Sequence, residues 1–114
     1  MGKETLGEMI RRLRTEKEIG VRELGRLVEV TGVHISSIEK DKATPSSELL
    51  KKIATVLDVD VDRLLLKAKM VDPELIKVIQ KNPYAIPDFL RTAKNLKKEQ
   101  WEELTKKVQE MQNK

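Results

Sequence analysis

A chain of 114 residues with 37% charged side chains, 3% aromatic residues and no cysteine makes one domain, or one small domain plus a helical extension, on an aliphatic core. It holds no disulfide framework and no thiolate metal site, and no apolar run nears the ~20 residues that span a membrane or forms a signal peptide, so a cytoplasmic chain is expected. The net charge of +4 is unevenly held: residues 1–68 carry 13 Lys and Arg against 12 Asp and Glu, residues 69–114 carry 10 against 7. The first part is no basic polyelectrolyte, so any grip on a polyanion there must come from cations gathered on one face.

Taken in chain order, Thr5 predicts the start of a first helix, with Glu8 three residues on in a capping-box pattern. Leu6, Met9, Ile10 and Leu13 form its buried stripe, and Gly20 marks the turn that follows. A second helix over 21–28 puts Val21, Leu24 and Val28 on one face; a third over 32–40 does the same with Ile35 and Ile38. Gly25 leaves room for a crossing helix, and Thr31 caps the third. After the loop 41–45, Ser46 caps a fourth helix with Leu49, Leu50, Ile53, Ala54 and Leu57 inward. Asp60 caps a short fifth helix carrying Val61, Leu64 and Leu65.

The stretch 67–71 is the expected junction between a head, residues 1–68, and an extension, residues 69–114. Asp72-Pro73-Glu74 is a helix start: cap, proline at the first helical position, acid in the first turn. Leu75, Ile76 and Ile79 give that helix an apolar side, and Asn82-Pro83 stops it. Pro87 is expected to open a helix with Phe89, Leu90 and Ala93, and Asn95 to cap a last one from about Leu96 to Met111. There is no strand pattern, internal repeat or low-complexity tract, so the fold class is all-α.

The most informative stretch is GVRELGRLVEVTGVHISSIEKDKATPSSE, residues 20–48. Two helices this short bury little alone, but crossed against each other they present the outer face of the second to a groove, the logic of a helix-turn-helix DNA reader. The order LGEMIRRLRTEKEIG, RELGRL, VTGVHISSIEK, PSSELLKKIATVLDV, DVDRLL resembles the Cro/C1-type, or XRE, helix-turn-helix regulators over roughly the first 68 residues. Three positions depart from that family's pattern. Val21 stands where a phosphate-binding Gln is usual, Glu29 where a turn Gly is common, and Asp41 where a Gly often follows the recognition helix. A left-handed Glu29 carries a strain of about 1–2 kcal/mol.

The resemblance implies a five-helix, lambda-repressor-like head whose third helix reads double-stranded DNA. It places Gly32, Val33, Ser36 and Ser37 at the major groove and His34 at its edge, and counts Thr31 among the DNA-binding residues. It gives Lys40 and Lys42, with the loop backbone, to phosphates, and Arg22 to the role of the missing Gln; Arg26, on the same outer face, reads equally as a solubilising arginine. The third helix offers no Arg, Asn or Gln for bidentate base contacts. Ser36 and Ser37 discriminate bases weakly, Val33 suits a thymine methyl, and DNA shape supplies part of any preference. The resemblance also pairs Arg14 with Glu39 as a structural bridge that orients the recognition helix.

One histidine and no cysteine build no zinc site, and neither a nucleophile triad nor a Gly-rich phosphate loop is present, so neither catalysis nor a cofactor or metal is expected. In the last helix Trp101, Leu104, Val108 and Met111 recur three, four and three apart, a short coiled-coil-like seam. With Phe89 these residues form either a homodimer interface that sets half-site spacing or core within one chain. The functional expectation is a dimeric, sequence-specific transcriptional regulator, a repressor acting on a palindromic operator. The alternative is a protein-interaction module, an antitoxin-like partner or bridging factor, that keeps the same fold.

Overall fold

The computed structural model describes residues 3–113. Eight helices are present among them, and no strand: α1 Leu6–Glu16, α2 Val21–Leu27, α3 Gly32–Glu39, α4 Ser47–Leu57, α5 Val61–Lys67, α6 Pro73–Lys81, α7 Ala85–Ala93 and α8 Lys98–Gln112. None is long and apolar enough to cross a membrane. The chain packs as two compact units, residues 1–75 and 76–114.

Helices α1, α3, α4 and α5 start on polar caps at the expected positions, whereas α2 starts after Gly20 without a side-chain cap. Thr5 and Glu8 close a reciprocal capping box on α1. The hydroxyl oxygens of Thr31 and Ser46 accept the N–H groups of His34 and Leu49 at 3.1 Å, and Asp60 accepts that of Asp62 at 3.0 Å. The apolar stripes then meet in one core. Met9, Ile10, Leu24, Val28, Ile35, Ile38, Leu50, Ile53, Leu57, Leu64 and Leu65 are all buried there. Each Leu or Ile so enclosed contributes about 1.5–3 kcal/mol.

Two glycines let the helices close on this core. A side chain on Gly25 would meet the Val30 carbonyl oxygen at 2.7 Å, which is the close α2–α3 crossing its position suggested. A side chain on Gly7 would meet the carbonyl oxygens of Ile38 and Glu39 at 2.5 Å, so α1 rests directly on the last turn of α3.

A shared device ends these helices. Glu18, Glu29, Asp41, Asp58 and Lys69, one after each of α1 to α5, adopt left-handed backbone with φ between 55° and 64°. Glycine is the usual occupant of such a position, and the expected strain at Glu29 (φ 64°) is present.

The chain past α5 differs in construction. Asp72 Oδ1 accepts the Glu74 N–H and α6 ends at Lys81, before Asn82-Pro83. Two expectations need correction. Helix α7 begins at Ala85, so Pro87 is its third residue rather than its first; the early N–H groups of a helix lack intrahelical partners, and proline is tolerated there. Helix α8 begins at Lys98, not after an Asn95 cap: the Lys97 N–H donates to Gln100 Oε1 at 2.9 Å, so the start is held from within the first turn. Ala93 is the only described residue of α7 or α8 that is fully buried.

Candidate nucleic-acid interface

Helix α3 separates support from presentation by burial. Ile35 and Ile38 face the core, while Val33, Ser36, Ser37 and Lys40 recur three and four apart on the opposite side. Val33 is 77% exposed, Lys40 and Lys42 are exposed, and Ser36 and Ser37 are half-buried. None of these five side chains makes a hydrogen bond or ion pair among the described residues. Their donors and acceptors are available to a ligand.

Behind that face sits the bridge between Arg14 and Glu39. Arg14 Nε donates to Glu39 Oε2 at 2.6 Å and Arg14 Nη2 to Glu39 Oε1 at 2.9 Å, a two-point contact. Arg14 Nη1 also donates to the Ile19 carbonyl at 2.9 Å, which ties the α1–α2 turn into the same cluster. The two side chains are only 13% and 7% exposed. The hydrogen bond to Glu39 raises the Arg14 pKa, against the opposing effect of burial, so the guanidinium stays charged. The structural pair stands as the sequence suggested, fixing the end of α3 to α1.

At the other end of α3, Gly32 lies against Arg22. A side chain on Gly32 would meet Arg22 Cγ at 3.2 Å, so the stem of Arg22 runs beside the start of α3 and leaves the guanidinium exposed. Arg22 and the recognition helix are thus brought together. Thr31 is exposed but engaged: its oxygen accepts the His34 N–H as cap. His34 is half-buried and turns to the flank of α3, beside Glu29, Val30, Ser46 and Lys52.

The loop after α3 is more closed than expected. The N–H groups of Lys40, Asp41 and Lys42 donate to the carbonyls of Ser36, Ile38 and Ser37, and that of Ala43 to Ser37. Of the loop's polar groups, the side chains of Lys40 and Lys42 stay exposed while these N–H groups are engaged. Asp41 has a role its position did not disclose. Its Oδ2 accepts the Thr5 hydroxyl at 2.6 Å and its Oδ1 the Gly7 N–H at 3.0 Å, so it caps α1 from the far end of α3. Arg11 is a second residue the sequence reading passed over. It is exposed, lacks an ion pair among the described residues, and lines a shallow groove with Val21, Ser36 and Lys40. Its spacing of three from Arg14 was the available signal.

In the extension, Phe89 and Trp101 meet edge to face within one chain, ring centroids 6.1 Å apart and planes at 77°. Leu104 is half-buried, whereas Phe89 is 48%, Val108 49% and Met111 72% exposed.

Comparison with known proteins agrees with this geometry. Residues 10–64 match the helix-turn-helix family HTH_3. The transcriptional regulator SinR of Bacillus subtilis is 39% identical over 61 residues, 53% of this chain and 55% of that protein. The chain therefore spans about half the length of the curated relatives it matches. The P22 c2 repressor, solved in complex with a synthetic operator, superposes with a TM-score of 0.53 at 32% identity, covering 54% of this chain and 94% of that one. A chain of the SinR protein/SinI protein complex superposes with a TM-score of 0.52 at 28% identity, covering 96% of this chain and 100% of that one. With its five leading helices in this order and α3 presented from the crossed α2–α3 pair, the chain belongs to the XRE-type helix-turn-helix family.

Proposed function

We propose that this chain is a sequence-specific DNA-binding transcriptional regulator, a repressor that occupies a palindromic operator as a homodimer. The observation that carries the reading is the outer face of α3. Val33, Ser36, Ser37 and Lys40 stand without intramolecular partners on a helix clamped from behind by the bridge between Arg14 and Glu39. Such a helix enters a major groove without reorganising. Val33 meets a thymine methyl, the two serines bond base edges, and Lys40, Lys42, Arg22 and Arg11 grip phosphates. Occupancy of the operator then excludes other proteins. The operator complex of the P22 c2 repressor, similar over the head, supports the same use of this surface.

The homodimer rests on the extension. The edge-to-face contact of Phe89 with Trp101 organises one subunit's own helices. Past that contact the stripe continues through Leu104 to Val108 and Met111, with its last two residues exposed. A second copy covers it, with the open side of Phe89 at its margin. A second reading, a module that docks a protein, draws on the lack of Arg, Asn or Gln on the outer face of α3.

Fluorescence anisotropy of the chain with genomic fragments at two salt concentrations separates the readings. DNA binding gives selective fragments and an affinity that falls steeply with salt; a protein-docking module gives neither. Val108→Asp with Met111→Asp tests the dimer. Monomers in sedimentation, with the emission of the single Trp101 unchanged, support it; a persistent dimer sinks it.

A further inference from the structure

The charge of this chain is in the wrong half for a protein that holds DNA by its head alone. Residues 1–75 carry fourteen Lys and Arg against fourteen Asp and Glu, and are neutral. Residues 76–114 carry nine against five, so the whole net charge of +4 belongs to the second unit. Four of its cations gather where α7 turns into α8. Arg91 lies in the last turn of α7, Lys94 ends that helix, Lys97 precedes α8 and Lys98 opens it. All four are exposed, none has an ion-pair partner among the described residues, and no acid occurs between Arg91 and Lys98.

The corner is also held in shape. The Leu96 N–H donates to the Ala93 carbonyl at 3.0 Å, Lys97 is fixed by Gln100, and Ala93 is buried beneath. Helix stability accounts for Arg91 and Lys94, since cations suit a helix C-terminus. It does not account for Lys97 and Lys98, which stand at the start of α8, the end where a cation is disfavoured. Four unpaired cations on a fixed turn suit a regular row of phosphates, and sequence-independent backbone contact asks only for charge and spacing.

We propose that the α7–α8 corner, formed by Arg91, Lys94, Lys97 and Lys98, is a second contact for the phosphate backbone of duplex DNA. It rests on the DNA-binding reading of the head and adds affinity without sequence preference.

The test is a salt titration of anisotropy with the full chain on one selected duplex. Replacing Arg91, Lys94, Lys97 and Lys98 by Gln should make the slope of log affinity on log salt shallower by about two to four units, near 0.9 per phosphate released. The loss should be similar on unrelated duplexes. Lys94→Arg with Lys97→Arg and Lys98→Arg should keep the wild-type slope. Lys106→Gln with Lys107→Gln, also in α8, should leave it within about half a unit. If sedimentation shows that the four-site variant assembles differently, Lys97→Gln with Lys98→Gln alone should remove about one to two units. A corner variant with the wild-type slope overturns the proposal and leaves the corner to an acidic protein partner. So does an equal loss from the Lys106 and Lys107 control, which would mark a general effect of net charge. If the wild type binds no duplex at all, the reading of the head fails first and the corner falls with it.

Discussion

Arg14→Ala should destabilise the first unit by about 3–5 kcal/mol, the usual cost of leaving one member of a largely buried ion pair alone. The structure supports the upper part of that range. The substitution removes two short charge-assisted bonds to Glu39, at 2.6 and 2.9 Å, and a third to the Ile19 carbonyl at 2.9 Å. It strands a carboxylate that is only 7% exposed. Replacing both members by methionine should cost far less, since a buried pair and its apolar replacement are often equal in energy. Urea denaturation followed by circular dichroism measures both, and the difference between single and double variants isolates the stranded charge. The hydrogen bond to Glu39 raises the folded-state pKa of Arg14 above its ordinary value, so the contribution of its charge is complete throughout the neutral range and is lost only as pH climbs through the raised value. A loss under about 1 kcal/mol, the scale of an exposed pair, would refute the claim that this bridge braces α3.

Other variants test the remaining local arguments. Glu29→Gly should stabilise by up to about 1 kcal/mol, because it relieves a left-handed φ of 64° and gives up only an exposed contact to Lys52 at 3.7 Å. Asp41→Gly relieves a similar φ of 58° yet should destabilise by about 1–2 kcal/mol, since the bonds to Thr5 and Gly7 go with it; opposite signs in thermal melts are the expected result. Gly7→Ala should cost about 1–3 kcal/mol of unfolding free energy in urea titrations by forcing α1 off the end of α3, and a neutral outcome would deny that close approach. Glu4 has its pKa lowered from 4.5, chiefly by its hydrogen bond with Arg12, so its stabilisation is present above that value and lost as pH falls through the lowered folded one. The gap in urea midpoint between wild type and Glu4→Gln should therefore be flat near neutrality and close in acid.

The legible features were those set by neighbours in sequence. The caps Thr5, Thr31, Ser46, Asp60 and Asp72 act within three residues of themselves, and the structure shows each in place. The stripes of α1 to α5 obeyed the helical period and met in one core. What escaped was set by residues far apart. Gly7 reads as a weak spot in a helix until α3 is laid on it, more than thirty residues later. Asp41 reads as a glycine gone missing, and only the fold shows that its carboxylate caps α1.

In the extension the errors were of another kind. Asn95 is a good cap by composition, but the start of α8 is settled by Gln100 reaching back to Lys97. Pro87 suits a first helical residue, yet any position in the unbonded first turn admits it, and it stands third in α7. For the candidate interface, the sequence and its family resemblance name Arg22, Thr31, Gly32, Val33, His34, Ser36, Ser37, Lys40 and Lys42. The structure gathers these around α3, spends the Thr31 oxygen on a cap, turns His34 aside, and sets Arg11 beside Ser36 and Lys40.

The central claim is that the outer face of α3 reads bases, and Val33→Ser tests it most directly. Val33 is 77% exposed and lies opposite the core residues Ile35 and Ile38, so its loss leaves the fold intact. Affinities of wild type and variant are compared over a set of operators changed one base pair at a time. The account requires the change to concentrate at one or two positions in each half-site, by about 1–3 kcal/mol or less for so small a side chain, with affinity for unrelated DNA unaltered. A parallel loss on every duplex, or no change on any, would contradict it.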